Sequence, residues 1–425
     1  PFGAFASHLL GFTNDELQGN YGVEGQYNDL LDGTPGRLVG ERDAAGNVIG
    51  LTQSTWDSPV DGADIVLTLD SAVQRAIEEV LDDVVKEQQA LGGTIIVQDT
   101  QTGAILGIAN RSTFNPNVYE NVDDPSVFLN PAISTIYEPG STFKSIVMAI
   151  GIDTGAVTPD TVFNDEPGFI VFEDGSRINN YENAVFGDLT VTEMLQRSSN
   201  LGAIFVAEQI GEQRFYESLQ AFGLGSPTGV DLQGEEAGIL TLPGEAGWND
   251  VLQYTNAFGQ GIACTPLQLV NAFSAIVNGG RLMEPYIVAE VHDGDDVTVT
   301  QPEQVRQVIS AESSATMRAM LESVVYNENS LYPSVDGYRI GAKTGTAQIP
   351  SPDGGYLEDA AIASIVGFGP VADPRFTVLV KIDWPKNGET GVRVSGPAMT
   401  RVFEQLFMLY GIPPTEPATE PEEAP

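Results

Sequence analysis

A lysine three residues after a serine is a spacing that can do chemistry. In EPGSTFKSIVMAI (residues 138–150), Ser141 and Lys144 are neighbours on a helix surface, so the ammonium can fold back onto the hydroxyl. A lysine that is desolvated, or set beside a second cation, holds its proton less tightly and can act as a base. A serine at a helix start also offers a free backbone N–H, aligned with the helix dipole, to an oxyanion. The same stretch equally describes a buried helix. Phe143, Ile146, Val147 and Ile150 recur at i, i+3, i+4 and i+7 after a Pro139-Gly140 turn, and serine is an ordinary helix cap. With five lysines and 24 serines in 425 residues, about 0.3 such pairs arise by chance, so this one decides nothing alone.

Two later stretches bear on it. RSSN (197–200) sets Ser198 and Asn200 at what reads as a helix start, where an N-cap followed by polar residues is the plain alternative. KTGT (343–346) sets Lys343 in a strand-like run followed by Thr344, Gly345 and Thr346. Its plain alternative is a strand lysine before a Thr-Gly turn. Functionally, Gly345 would let a substrate backbone approach closely, and Thr346 would offer both its N–H and its hydroxyl.

The elements that must hold these residues can be read from periodicity. DIVLTLD (64–70) predicts a strand ending at Asp70, an N-cap for a helix striped by Val73, Ile77, Val80, Leu81, Val84 and Val85. GTIIVQD and AILGIAN, separated by TQTG, predict a hairpin. Residues 191–222 read as two helices. TPLQLVNAFSAIVNGG (265–280) has a Thr cap, a first-turn Pro and a terminal Gly, and 310–325 is a further helix. YRIGAKTGTAQI, IASIVGFGPV and FTVLVKIDW predict three late strands, before a closing helix at about 397–410. Two early strands, three late ones and helices between them predict an α+β fold, in which helices cover one five-stranded antiparallel sheet. Residues 1–61 are turn-rich, including RDAAGNVIG, and read as a small β-rich module. Residues 62–412 form the main domain. Residues 413–425 form an acidic, Pro-rich tail expected to be disordered.

Composition narrows the function. Against 59 Asp and Glu stand 19 Lys and Arg, a net charge of −40, which disfavours nucleic acid as a partner. The single cysteine, Cys264, excludes a disulfide within the chain and a Cys-based metal cluster. His8 and His292 are the only histidines, both expected at the surface, and no G-x-S-x-G elbow accompanies them, so a Ser-His-Asp hydrolase is unsupported. Ala342 interrupts the phosphate-binding loop pattern in GYRIGAKT, and no metal-ligand spacing occurs, so neither metal nor cofactor is expected. The chain starts at Pro1, so a preceding signal peptide or membrane anchor is an expectation.

In their order, S-x-x-K, S-x-N and K-T-G form the pattern of penicillin-binding proteins and serine β-lactamases. The chain resembles a class B penicillin-binding protein, a membrane-anchored D,D-transpeptidase, over roughly residues 1–410. YEPGSTFK, RSSNLG, AKTGTAQ and IVGFGPVADPRFTVLVKID carry the likeness, and GVEGQYNDLLDGTPG resembles that family's pedestal, of the dimerisation type and here only partial. The resemblance implies Ser141 as the acylated nucleophile and Lys144 as its base. It implies Ser198 as a proton relay helped by Lys343, and Asn200 as a holder of the substrate amide. The N–H groups of Ser141 and Thr346 would form the oxyanion hole, with Thr344, Gly345 and Thr346 lining the substrate strand and its carboxylate site. Peptidoglycan stem peptides and β-lactams are the implied ligands, and a membrane glycosyltransferase is a candidate partner. The implied location is the extracytoplasmic face of the bacterial membrane, with an anchoring helix absent from this chain. A β-lactamase, a β-lactam sensor or an idle wall scaffold of the same fold are the alternatives. No E-x-x-L-N stretch supports the first, and the intact motifs argue against the last.

Overall fold

Apolar β-branched runs and amphipathic stripes sort this chain into a sheet sandwiched by helices. The computed structural model describes residues 3–39, 45, 55–172, 175, 177–351, 355–387 and 390–415. All but one residue of RDAAGNVIG, and residues 416–425 of the acidic tail, lie outside the described residues. The helices that matter here are α1 (Ser71–Glu87), α2 (Lys144–Asp153), α3 (Val191–Gln196), α4 (Asn200–Ile210), α5 (Glu212–Ala221), α6 (Pro266–Val277), α7 (Ala311–Val325) and α8 (Gly391–Leu409). The main sheet is built from β1 (Gly92–Asp99), β2 (Ile105–Arg111), β3 (Gly341–Pro350), β4 (Tyr356–Gly369) and β5 (Phe376–Asp383).

The strand order is β3-β4-β5-β1-β2, and every pairing is antiparallel. The expected five-stranded sheet is therefore present, closed by pairing the late β5 with the early β1. Alternation along the strands divides the core. Ile95, Val97, Val378, Val380 and Ile382 pack on the stripes of α1 and α8, including Val73, Ile77, Val402 and Phe403. Ile96, Leu379, Val366 and Phe368 turn to the opposite layer, where α2, α4, α6 and α7 bury Ile146, Ile204, Phe273 and Leu321. Because β3 is an edge, one row of its backbone groups is unpaired by the sheet.

Several local readings are sharpened. Asp70 caps α1 by accepting from the Ala72 and Val73 N–H groups, as its position predicts. Thr265 and Gln268 form a capping box on α6. Residues 191–222 hold three helices, not two, because Ser198 adopts φ +55° and breaks the first after one and a half turns. The last helix begins at Gly391, six residues before Pro397, which it carries inside. Its first turns are held onto β4, where Ser395 Oγ donates to the Ala363 carbonyl (2.8 Å). His8 is buried rather than at the surface. Its Nε2 lies 3.0 Å from the Val127 carbonyl, its ring meets Phe114 edge-on, and burial lowers its pKa to about 4.

Residues 3–39 form short helices and strands, with Leu9 and Val23 inserted in the larger core. Tyr27 Oη donates to Asp231 (3.0 Å), whose carboxylate also accepts the Ile287 and Val288 N–H groups (2.7 and 2.9 Å). The strand Asp64–Leu67 pairs with Val288–Asp293 in a separate small sheet. Among the described residues, no helix is long and apolar enough to cross a membrane.

Candidate active site

Two glycines bring the serine turn against the edge strand. Gly140–Phe143 is one 3-10 turn, and α2 follows at Lys144. Gly140 has φ +56°, a conformation that favours glycine, and its N–H donates to the Gly259 carbonyl (2.9 Å). A Cβ added at Gly345 would lie 2.8 Å from the Pro139 carbonyl oxygen and 2.8 Å from Ser364 Oγ, so any side chain there would push β3 off the turn. Sequence periodicity predicts an apolar face and a reactive face on α2. The helix is in fact buried all round through Gly151, with Lys144, Ser145 and Met148 as enclosed as Phe143 and Ile146. Ser141, in the preceding turn, is half-exposed, as are Ile152 and Asp153 at the far end of α2.

Lys144 is fully buried among neutral oxygens. Its Nζ lies 2.6 Å from the Ser198 carbonyl, 2.7 Å from Asn200 Oδ1, 3.0 Å from Ser141 Oγ and 3.3 Å from Ser198 Oγ. No carboxylate is among these partners. Burial, and then the charge of Lys343, drives the Lys144 pKa well below its ordinary value. As a neutral amine it can give its two N–H bonds to the two shortest contacts and keep its lone pair for the Ser141 hydroxyl. An amine so placed can take a proton from Ser141.

Ser198 is not the helix cap that its sequence position suggested. Ser199 caps α4 by accepting the Gly202 N–H (2.9 Å), leaving Ser198 in a left-handed backbone conformation with its hydroxyl between two lysines. Lys343 Nζ, itself buried, lies 3.0 Å from Ser198 Oγ and 3.0 Å from the Thr344 carbonyl.

Asn200 is oriented by neighbours that the motifs do not contain. Its Nδ2 donates to the Asn179 carbonyl (2.9 Å), which turns Oδ1 toward Lys144. The buried Asn180 Oδ1 accepts from Asn200 N (2.8 Å), Ser199 Oγ (3.1 Å) and Leu201 N (3.2 Å). Asn180 Nδ2 is in turn held by buried Asp165 (2.8 Å), whose carboxylate also accepts the Phe186 and Gly187 N–H groups. Asn180 and Asp165 thus fix the loop that carries Ser198 and Asn200. Their only sequence signal was polarity in a loop.

On β3, Thr344 and Thr346 are half-buried and share one face, opposite Lys343 and Gly345. Thr344 N donates to Tyr332 Oη (2.9 Å), which places that N–H on the outer edge of the sheet. Two residues on, the Thr346 N–H points to the same edge, beside the serine turn. The residues from the three sequence motifs therefore meet in one place: a hydroxyl, an uncompensated amine in contact with it, a second hydroxyl between two amines, and a strand edge that carries the Thr346 N–H. That is equipment for acyl transfer through serine.

Comparison with known proteins gives the same class. The penicillin binding protein transpeptidase domain matches residues 93–404, and the penicillin-binding protein dimerisation domain matches residues 1–67. The chain belongs to the penicillin-binding transpeptidase family. It is 38% identical over 420 residues to stage V sporulation protein D of Bacillus subtilis (strain 168), covering 97% of this chain and 64% of that protein. It is 32% identical over 419 residues to the peptidoglycan D,D-transpeptidase FtsI of Escherichia coli (strain K12), covering 97% of this chain and 67% of that one. The chain thus spans about two thirds of the length of these relatives. The crystal structure of penicillin binding protein 3 from Mycobacterium tuberculosis superposes with a TM-score of 0.84 at 27% identity, covering 99% of this chain and 92% of that chain. That protein has also been solved in complex with aztreonam and with ampicillin.

Proposed function

We propose that this chain is a serine D,D-transpeptidase that cross-links peptidoglycan stem peptides and is acylated by β-lactams. Ser141 attacks the carbonyl of the penultimate D-Ala as its hydroxyl proton passes to Lys144. The tetrahedral oxyanion is held by the N–H groups of Ser141 and Thr346. Collapse expels D-Ala, whose amine receives a proton from Lys144 through Ser198, with Lys343 stabilising that hydroxyl. A neighbouring stem's amine then attacks the ester and gives its proton to Lys144, and Ser141 recovers its own. Asn200 holds the donor peptide's amide, and Gly345, Thr344 and Thr346 receive its backbone and carboxylate.

The observation that carries this reading is the buried Lys144 amine, 3.0 Å from Ser141 Oγ and without a carboxylate partner. In keeping with the family, residues 1–61 act as a pedestal, 62–412 as the transpeptidase domain and 413–425 as a tail. The site works on the extracytoplasmic face of the membrane, alongside a glycosyltransferase that supplies the strands.

Intact-protein mass spectrometry after penicillin treatment tests the reading. A stable adduct of one penicillin is expected, and Ser141→Ala abolishes it. An unmodified mass overturns the assignment, and rapid return to the starting mass points to a β-lactamase instead.

A further inference from the structure

Two hydroxyls on β3 each have a polar group of the protein behind them. Thr346 Oγ1 accepts the Gly391 N–H at the start of α8 (3.2 Å). Thr344 Oγ1 stands 2.7 Å from Tyr332 Oη. A proton count bears on the direction of the second bond. Tyr332 Oη already accepts the Thr344 N–H (2.9 Å), and its other hydrogen-bond partner among the described residues is Thr344 Oγ1. Either hydroxyl can be the donor in that contact; where the phenol proton, the one donor Oη owns, is used within the protein, it goes to Thr344 Oγ1. Both threonines then accept from inside the protein, and both keep their own O–H to give outward. Two donors two residues apart on one strand face suit an anion. With the bond reversed, Thr344 would present only lone pairs, which repel a carboxylate.

We propose that Tyr332 is a positioning residue that fixes the Thr344 hydroxyl as a donor, so that Thr344 and Thr346 together select ligands bearing a free carboxylate. The same hydroxyl closes the Thr344 N–H on the sheet edge, so an incoming strand pairs from Thr346 onward. This inference rests on the acyl-transfer reading above. Tyr332 touches no reacting atom and works through Thr344. It lies in the loop between α7 and β3, outside all three motifs.

The test compares acylation by a penicillin with acylation by its methyl ester, which lacks the anion. Tyr332→Phe keeps the ring and removes one oxygen. It should slow acylation by the free acid about five- to ten-fold while leaving the ester within about two-fold of wild type. Because Tyr332 acts through Thr344, the double variant Tyr332→Phe with Thr344→Val should slow the acid no more than Thr344→Val alone. Equal losses for acid and ester, an unchanged acid rate, or additive losses in the double variant overturn the role of Tyr332. A wild-type protein that neither penicillin acylates overturns the acyl-transfer reading, and this inference with it.

Discussion

Lys144 and Lys381 are both almost wholly buried, at 0% and 4% exposure, yet their surroundings differ. Lys381 stands on β5, ion-paired to Asp383, with its ammonium 5.0 Å above the Tyr137 ring. It is one member of a row that crosses the sheet from Gly345 through Ser364 to Thr94. Lys144 meets only neutral oxygens and faces a second lysine across Ser198. A buried cation with a carboxylate is a compensated structural pair. A buried amine without one costs stability in its charged form and gives up its proton for chemistry. Desolvation alone does not distinguish the two; the partner does.

That contrast can be broken at Lys144 first. Lys144→Met removes the base and should lower the rate of β-lactam acylation about 10²- to 10⁴-fold. Urea unfolding of the same variant should show no loss of stability, since an apolar chain of similar shape replaces an uncompensated amine. The pH dependence has a fixed sign. Acylation should fall as pH drops through the lowered Lys144 pKa, because the ammonium has no lone pair for Ser141. Between that value and the ordinary 10.5, the unfolded chain binds the proton more readily than the folded one, so stability should rise with pH there, and Lys144→Met should flatten the slope. A stability profile unchanged by the substitution would argue that Lys144 is compensated after all.

A middle-sized effect is expected one layer out. Asn180→Ala frees the Asn200 loop without touching either lysine, and should slow acylation about ten-fold and cost about 1–2 kcal/mol of stability. Wild-type acylation kinetics in that variant would show that the loop holds itself. The smallest effect on acylation belongs to Lys381→Met, at less than about two-fold. Its cost falls on folding, about 1–3 kcal/mol in urea unfolding, because Asp383 is left half-covered and unpaired. If this variant lost acylation as Lys144→Met does, the two lysines would not be different in kind.

The candidate site residues were legible because the acyl transfer proposed for them constrains residue types at short range. Serine to lysine is one turn, serine to asparagine straddles a loop, and lysine-threonine-glycine fits a strand. The sheet was legible because its strands are long and β-branched. Asn180, Asp165 and Tyr332 were not, since each reaches its partner through tertiary packing from a polar loop with no period. Two misreadings share a cause. Helical spacing suggested an open face on α2, and a place in a turn-rich module suggested a surface site for His8, but Lys144, Ser145, Met148 and His8 are all buried. Pattern reports which residues can be buried, and not how many elements will cover them.

The strand order carries one further consequence, in time rather than in space. Ser141 and Lys144 lie early in the chain, while Lys343 and the β3 edge come from its last third, joined to the early strands only through β5 and β1. At about 5–20 residues per second, roughly 10–40 s of synthesis separate Lys144 from Lys343. During that interval the serine has no β3 edge beside it, and its lysine has no second lysine across Ser198. On the proposed reading a growing chain is therefore chemically silent, and the site is complete only with the last strands and helix to be made.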